Sequence, residues 1–283
     1  MSLPMDVYIE NVHLRVSDLD SSTAFYRDQL GFVESSSDRG KIGFASSKES
    51  LPVLFLSEDK DARRFPSVPG LYHVAYLYPH RKELARAFRR LHENHWPFQG
   101  FADHGVSEAL YLADPDGNGV ELYADRPRDQ WAYENGILQM TTERLDLQEL
   151  LKELDGEPAG QLHDPGVKIG HIHLQVSNIG KAEKFYHKLV GFDVTQRDYP
   201  GALFVSAGGY HHHLGFNMWN SRGATKPADK ILGLEKFQIN IGSQKEFEEL
   251  RKRLDETGNV VESKTNSFMS KDFDSIQVEF SVS

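Results

Sequence analysis

The segment LRVSDLDSSTAFYRDQLGF at residues 14–32 decides the fold, because the chain repeats it as LQVSNIGKAEKFYHKLVGF at residues 174–192. The identical positions keep one constant offset: Leu14, Val16, Ser17, Phe25, Tyr26, Gly31 and Phe32 recur as Leu174, Val176, Ser177, Phe185, Tyr186, Gly191 and Phe192. Each copy has the pattern of an alternating strand, a polar turn, a helix with paired aromatics and a Gly-Phe exit into the next strand. The chain is therefore an internal duplication.

A second unit follows inside each half. Residues 70–78 have the pattern of a strand, 81–92 of a helix, and 109–123 of two strands around a turn. Residues 234–241, 244–254 and 275–281 follow the same order, and EFEELRKRL at 246–254 echoes ELARAFRRL at 83–91. The sequence thus predicts an α+β protein of four βαβββ modules, two in each half.

The duplication also predicts the domain organisation. Residues 8–126 form a first domain of modules 1 and 2, and residues 169–283 form a second domain of modules 3 and 4. Residues 127–168 form the linker, which has an acidic run and Pro and Gly punctuation, with one helix around residues 145–154.

Composition narrows the class of protein. Hydrophobic residues make up 39% and charged residues 26% of the 283 residues, and no apolar run approaches the ~20 residues of a membrane span, which indicates a soluble protein. The first residues have neither a basic segment nor an apolar core, so we expect a cytoplasmic location rather than secretion. A net charge of −10 argues against nucleic-acid binding. The sequence leaves the oligomeric state open, a homo-oligomer included.

The absence of cysteine, together with 13 histidines, decides which metal sites are possible. Without thiolates, any metal must be bound by nitrogen and oxygen ligands. The segment DHGVSEALYLADPDGNGVELYAD at residues 103–125 contains a strong turn, Asp114-Pro115-Asp116-Gly117-Asn118-Gly119, which places Glu121 on a strand. For an isolated strand glutamate, exposure to solvent would be the simpler interpretation.

This glutamate is not isolated. The order His104, Leu110-Tyr111, Asp114-Pro115, Gly117 and Glu121 closely resembles the signature of extradiol ring-cleavage dioxygenases of the vicinal oxygen chelate superfamily, with Ala102 as one departure. The resemblance implies two cup-shaped mixed sheets with helices outside. It also implies that Glu121 is an iron ligand and that His104 and Tyr111 line the substrate pocket.

The resemblance implies two histidine ligands as well. His73, in Leu71-Tyr72-His73-Val74-Ala75, matches the ligand on the first strand of the same module. His171, in Gly170-His171-Ile172-His173-Leu174, matches the Gly-His start of the family's other ligand strand. Aligning the repeats puts Asn11 opposite His171 and His13 opposite His173, so we expect His13 to be structural.

Tyr210-His211-His212-His213-Leu214 resembles the family's His-His segment, in which one histidine is an acid/base for the bound substrate. Register with that segment selects His212. For His211 and His213, a hydrated cluster in a loop is an equally good interpretation.

These assignments require an unusual assembly. The ligands lie in modules 2 and 3, so the site forms only if those two modules pair across the linker and modules 1 and 4 pair with each other. In the fourth module Lys236 or a neighbour occupies the ligand position on the first strand, although Glu279 lies on the last strand. One working site and one vestigial site are therefore expected.

The resemblance implies an Fe(II)-dependent extradiol dioxygenase, with Mn(II) as a possible replacement, that uses O₂ to open catechol or a substituted catechol to a hydroxymuconic semialdehyde. Two histidines and one carboxylate on one face of the metal leave the opposite positions for substrate and O₂. A glyoxalase-type isomerase or thiol transferase, and a metal-free protein that binds aromatic ligands, are the alternatives in the same superfamily.

Overall fold

The computed structural model describes residues 3–38, 40–158, 166–225 and 230–283. Its first half contains modules 1 and 2. Module 1 comprises β1 (Tyr8–Val16), α1 (Leu19–Ala24) with a π-helical turn (Phe25–Gln29), β2 (Val33–Asp38), β3 (Lys41–Ala45) and β4 (Leu54–Glu58). Module 2 comprises β5 (Gly70–Tyr78), α2 (Arg81–Glu93), β6 (Phe98–Asp103), β7 (Ser107–Ala113) and β8 (Gly119–Asp125). Both modules therefore have the predicted βαβββ order.

The linker contains a 3₁₀ turn (Arg128–Gln130), the short strands β9 (Tyr133–Glu134) and β10 (Ile137–Leu138), and α3 (Leu147–Leu151) with a 3₁₀ turn (Lys152–Leu154). The helix predicted around residues 145–154 is therefore present. The predicted linker includes residues 159–165, which lie outside the described residues.

The second half repeats the order of the first. Module 3 comprises β11 (Lys168–Gln175), α4 (Ile179–Ala182) with a π-helical turn (Glu183–Val190), β12 (Asp193–Gln196), β13 (Ala202–Ser206) and β14 (Leu214–Asn217). Module 4 comprises β15 (Gly233–Asn240), α5 (Gln244–Glu256), β16 (Val260–Ser263), β17 (Ser267–Lys271) and β18 (Gln277–Ser281). The prediction of four βαβββ modules is confirmed.

The duplicated helices start with the same local chemistry. Asp18 and Asn178 are the N-caps of α1 and α4, and their side chains accept hydrogen bonds from the backbone amides of Ser21 and Lys181. These caps satisfy amides that have no partner inside a helix. The second copy ends at Gly191, whose φ of 106° suits glycine far better than any other residue.

Two eight-stranded mixed sheets organise the modules. One has the order β16-β17-β18-β15-β1-β4-β3-β2 and the other the order β12-β13-β14-β11-β5-β8-β7-β6. Modules 1 and 4 therefore share one sheet, and modules 2 and 3 share the other, as the positions of the candidate ligands require. We call them the 1/4 sheet and the 2/3 sheet.

The two modules of each half are joined by equivalent hydrogen bonds. The Tyr26 hydroxyl donates to Asp114 at 3.1 Å, and the Tyr186 hydroxyl donates to Asp272 at the same distance. Each sequence half thus contributes to both sheets. The domain boundaries 8–126 and 169–283 stay a prediction drawn from the duplication.

Strand alternation places core residues on one face of the 2/3 sheet and the candidate ligands on the opposite face. On β5, Val74, Tyr76 and Tyr78 belong to the main hydrophobic core, while His73 and Ala75 point from the opposite face. Within the described part of the chain, no helix has the length and apolar character needed to cross a membrane.

Candidate active site

Three adjacent strands at the centre of the 2/3 sheet position a triad of side chains. The antiparallel pair β11·β5 aligns His171 with Ala75, and the parallel pair β5·β8 aligns Ala75 with Glu121. His73 lies two residues from Ala75 and therefore on the same face of the sheet. The small side chain of Ala75 leaves space between the longer side chains around it.

The functional atoms of this triad meet at one point. Nε2 of His73 lies 3.0 Å, and Nε2 of His171 lies 3.1 Å, from Oε2 of Glu121. Two ligands at about 2.1 Å from a metal, with a right angle between them, are about 3 Å apart. The observed spacing therefore matches adjacent positions in one coordination sphere. Among the described residues, these three form the one cluster of histidines and acids with metal-ligand spacing.

Burial and mutual interaction set the charge states of His171 and Glu121. Burial lowers the pKa of His171 to about 4, so this imidazole is neutral at pH 7 and its lone pair is available. Burial opposes the charge on Glu121, but interaction with His171, a hydrogen bond from His171 and the proximity of His73 hold the pKa of this carboxyl well below its ordinary value. A buried carboxylate beside a neutral imidazole needs a positive partner.

The triad fits a divalent cation. Nε2 of His73 is buried and makes no hydrogen bond within the described residues, which is uncommon for a polar atom in a protein interior. A metal ion at the meeting point would accept this lone pair and neutralise Glu121. Two imidazoles and one carboxylate are the donors typical of non-haem Fe(II) sites.

Tyr111 and His104 form a hydrogen-bonded pair beside the triad. The Tyr111 hydroxyl lies 2.8 Å from Nε2 of His104, and its ring centroid lies 5.8 Å from that of His73. Burial and the nearby charge of Glu121 raise the pKa of Tyr111 well above 10, so its hydroxyl keeps its proton. Nδ1 of His104 lies 2.7 Å from the carbonyl oxygen of Thr141, an atom that can only accept. The linker therefore makes Nδ1 the protonated nitrogen of His104.

The histidine triplet lies immediately before β14, and its members have different surroundings. His212 lines the cavity, with its ring centroid 4.0 Å from that of His171. His211 is fully buried behind it. Nδ1 of His213 is 2.9 Å from the hydroxyl of Ser206. Both flanking histidines are buried, so the interpretation of a hydrated loop cluster is wrong for them.

A cavity of about 600 Å³ opens in front of the triad. All six residues predicted for the site line it: His73, His104, Tyr111, Glu121, His171 and His212. Its wall also contains aromatic side chains at the mouth and a linker segment: Tyr72, Tyr199, Phe204, Trp219, Met140, Thr141 and Thr142.

Sequence reasoning missed several of these residues. No local pattern marks Thr141, because its contact with His104 depends on how the linker pairs with the end of β6. Asp125, which binds His211 at 3.0 Å, could have been found, because it follows Glu121 by an even number of positions on β8 and therefore lies on the same face.

The 1/4 sheet has different residues at the equivalent positions. His13 aligns with Lys236 across β1·β15, as His173 aligns with His73 across β11·β5. Glu279 is aligned as Glu121 is, and it binds Nζ of Lys236 at 2.5 Å. Lys236 is therefore the residue at the ligand position, as the sequence predicts.

A family model matches both halves of the chain. This family is described as the Glyoxalase/Bleomycin resistance protein/Dioxygenase superfamily, and its model matches residues 8–122 and 168–274.

Two curated proteins show the extent of the sequence similarity. The chain is 43% identical over 277 residues to catechol-2,3-dioxygenase of Bacillus subtilis (strain 168), which covers 96% of this chain and 95% of that protein. It is 31% identical over 105 residues to biphenyl-2,3-diol 1,2-dioxygenase 2 of Rhodococcus globerulus, which covers 36% of this chain and 47% of that protein.

Solved structures share the fold at low sequence identity. A Bacillus subtilis subsp. subtilis str. 168 protein matches with a TM-score of 0.64 and 14% identity, covering 100% of this chain and 86% of that one. Glyoxalase I from Zea mays matches with a TM-score of 0.59 and 13% identity, covering 98% of this chain and 92% of that one.

Proposed function

Because the chain belongs to the Glyoxalase/Bleomycin resistance protein/Dioxygenase superfamily, we propose that it is an Fe(II)-dependent extradiol dioxygenase. It opens catechol or a substituted catechol with O₂ and releases a hydroxymuconic semialdehyde. One observation carries the proposal: the meeting of His73, Glu121 and His171 at the base of a cavity that also holds three acid/base groups. The 43% identity to a catechol-2,3-dioxygenase supports it.

His73, Glu121 and His171 would hold the metal ion. Bound there, Fe(II) would bring the diol and O₂ together and would lower the pKa of the diol. The chain's own contribution is one negative charge and two neutral donors in fixed positions. Mn(II) takes the same kinds of donor and is the alternative metal.

His212 is the proposed acid/base. Burial, followed by interaction with His171, lowers its pKa well below the ordinary value, so it enters the reaction as a neutral base. It takes a proton from the diol as the substrate binds and returns a proton to the opening ring.

His104 and Tyr111 hold the oxygen of the substrate. The Tyr111 hydroxyl is protonated and lies on the same side of the cavity as His73. It donates its hydrogen to Nε2 of His104, which leaves its oxygen to accept a hydrogen bond from a diol hydroxyl. Such hydrogen bonds strengthen in a buried site that excludes water.

The size of the cavity favours a substituted catechol. An apolar cavity of about 150 Å³ is sufficient for benzene, whereas this cavity measures about 600 Å³. The exposed rings of Tyr72, Tyr199 and Trp219 at its mouth provide an aromatic surface for a substituent.

A glyoxalase-type isomerase, a thiol transferase and a metal-free binding protein remain the alternatives. The first two consume no O₂ and open no ring, and the third does not require the triad. Cytoplasmic location and assembly into a homo-oligomer stay predictions from the sequence.

Anaerobic reconstitution tests the proposal. The full-length chain is loaded with Fe(II) without air, mixed with catechol, and then exposed to air while the yellow semialdehyde and O₂ uptake are recorded. We expect product formation and O₂ uptake in equal amounts. Uptake of iron and catechol without O₂ consumption would contradict a dioxygenase, and binding of catechol without any metal would favour the binding protein.

A further inference from the structure

A chain of hydrogen bonds runs behind the cavity wall from Asp125 to His212. Nε2 of His211 lies 3.0 Å from Oδ1 of Asp125. Nδ1 of His211 lies 2.7 Å from Nδ1 of His212. His211 itself is fully buried and does not line the cavity, so it connects the residue at the cavity with the carboxylate at the end of β8.

The chemistry of each group determines which atom donates and which accepts in each of these hydrogen bonds. A carboxylate only accepts hydrogen bonds, so Nε2 of His211 carries the hydrogen. A neutral imidazole has one N–H, which leaves Nδ1 of His211 as an acceptor. Nδ1 of His212 must therefore donate to it. The ring nitrogen that remains on His212 is Nε2, which then has a free lone pair.

We propose that Asp125 and His211 are positioning residues that hold His212 in its Nδ1–H tautomer, with the lone pair of Nε2 directed into the cavity. The tautomer follows from the hydrogen bonds of a neutral His211 imidazole. Its importance for catalysis rests on the proposed function, since only a base that meets a substrate proton needs a lone pair at that atom.

The surroundings hold Asp125 and His211 in place. The Tyr210 hydroxyl donates to Oδ1 of Asp125 at 3.3 Å and lies 2.7 Å from the Tyr123 hydroxyl. The ring centroid of Trp131 lies 5.6 Å from that of His211.

Gly170 makes room for this arrangement. A Cβ atom at position 170 would lie 1.6 Å from the Tyr123 hydroxyl oxygen, so only glycine allows that hydroxyl to reach Tyr210. The requirement for glycine before the ligand His171 is therefore steric, and it serves the hydrogen-bond network rather than the metal.

Two variants of His211 distinguish the role of its Nδ1 as a hydrogen-bond acceptor from the contribution of its ring to packing. His211→Leu removes the acceptor at Nδ1, whereas the side-chain oxygen of Asn in His211→Asn can accept at a similar position. Asp125→Leu removes the carboxylate that accepts the hydrogen bond from His211. It serves as an independent variant if His211→Leu does not fold.

The first measurement is the ¹⁵N spectrum of the histidine ring nitrogens in the full-length chain saturated with diamagnetic Zn²⁺. The His212 signals are assigned by their loss in His212→Phe. We expect a protonated Nδ1 and a bare Nε2 on His212 in the parent chain and in His211→Asn. In His211→Leu and Asp125→Leu we expect a mixture of tautomers. A protonated Nε2 in the parent, or an unchanged tautomer in both Leu variants, would overturn the inference.

The second measurement is ring cleavage by the iron-loaded chains. Supporting groups of this kind contribute about 10–100-fold to activity. We expect kcat of His211→Leu to fall by about that factor while KM and iron content stay within about twofold, and His211→Asn to recover most of kcat. A parent chain with the expected tautomer but no ring cleavage would refute the proposed function and leave the tautomer assignment standing. Equal kcat in the parent and His211→Leu would overturn the catalytic part.

Discussion

The two sheets are built from the same repeated module, but a metal-type triad occurs in only one of them among the described residues. Where the 2/3 sheet has His171, His73 and Glu121, the 1/4 sheet has Asn11, Lys236 and Glu279 at the aligned positions. The carboxylate is present in both. In the 1/4 sheet the ammonium of Lys236 binds this half-buried carboxylate, so a side-chain cation stands where the triad of the 2/3 sheet fits a metal ion.

The second difference is the space above the sheet. Phe55 aligns with His13 in the 1/4 sheet, and Gly215 aligns with His173 in the 2/3 sheet. The Phe55 ring stacks on His13 with centroids 4.5 Å apart. Glycine at the equivalent place leaves room for the rings of His173 and Phe204, whose atoms would lie 3.1 Å and 3.2 Å from a Cβ atom there.

Replacing the equivalent carboxylates Glu121 and Glu279 by amides should reveal the largest difference between the two sheets. In Glu121→Gln the negative charge at the meeting point is lost, so we expect little bound iron. Ring cleavage should fall by more than the 10–100-fold that loss of an outer partner costs. Iron content by elemental analysis and the rate of semialdehyde formation measure this.

Glu279→Gln is the matched control, since Glu279 has the same position in the other sheet. It should keep iron content and rate within about twofold of the parent. Loss of iron from Glu279→Gln would mean that the two sheets do not differ as described.

His212→Phe should keep its metal but lose turnover. An acid/base residue contributes about 10²–10⁴-fold, so we expect kcat to fall by that factor while catechol still binds. Iron content, catechol binding and steady-state rates measure the outcome.

His13→Ala provides the comparison from the 1/4 sheet, and its iron content and kcat should match the parent. If His13→Ala lost its metal while His171→Ala kept it, the site would lie in modules 1 and 2 instead.

Lys236→Met should lower stability rather than activity, because it leaves the Glu279 carboxylate without its cation. An unsatisfied buried polar group costs about 1–3 kcal/mol, but Glu279 is only half-buried, so we expect a loss of about 1–2 kcal/mol in the free energy of unfolding. Urea denaturation measures it. The double variant Lys236→Met/Glu279→Leu should recover much of the loss, since two apolar residues can replace an ion pair. A double variant less stable than Lys236→Met would contradict this.

His13 should give a smaller effect that depends on pH. Burial, followed by the charge of Lys236, lowers its pKa to about 4 in the folded chain, compared with 6.5 for the unfolded one. Between these values the unfolded chain binds more protons, so stability is full above about pH 6.5 and falls as the pH drops towards 4.

His13→Gln should therefore lose less stability than the parent between pH 7 and 4.5. We expect a difference on the order of 1 kcal/mol, because partial exposure of the ring weakens the effect. Unfolding free energies across that pH range would detect it. Parallel curves for the two proteins would argue against a buried neutral His13.

The sequence by itself determined the duplication, the module order and the positions of the three candidate ligands. These features depend on local pattern: the repeat fixes the register of His13 against His173, and the turn before Glu121 fixes the strand that carries it. The assignment of His212 as the cavity residue of the triplet also came from register, and its chemical role stays a prediction.

Only the tertiary structure decided which strands pair, because β5 has the same pattern whichever first strand lies beside it. It also decided the contacts between distant segments. Thr141 reaches His104 from the linker, and Asp125 reaches His211 from another module. Periodicity places Asp125 on the same face as Glu121, but it does not give the partner of either residue, since each contact depends on two segments that approach each other only after the sheets have formed.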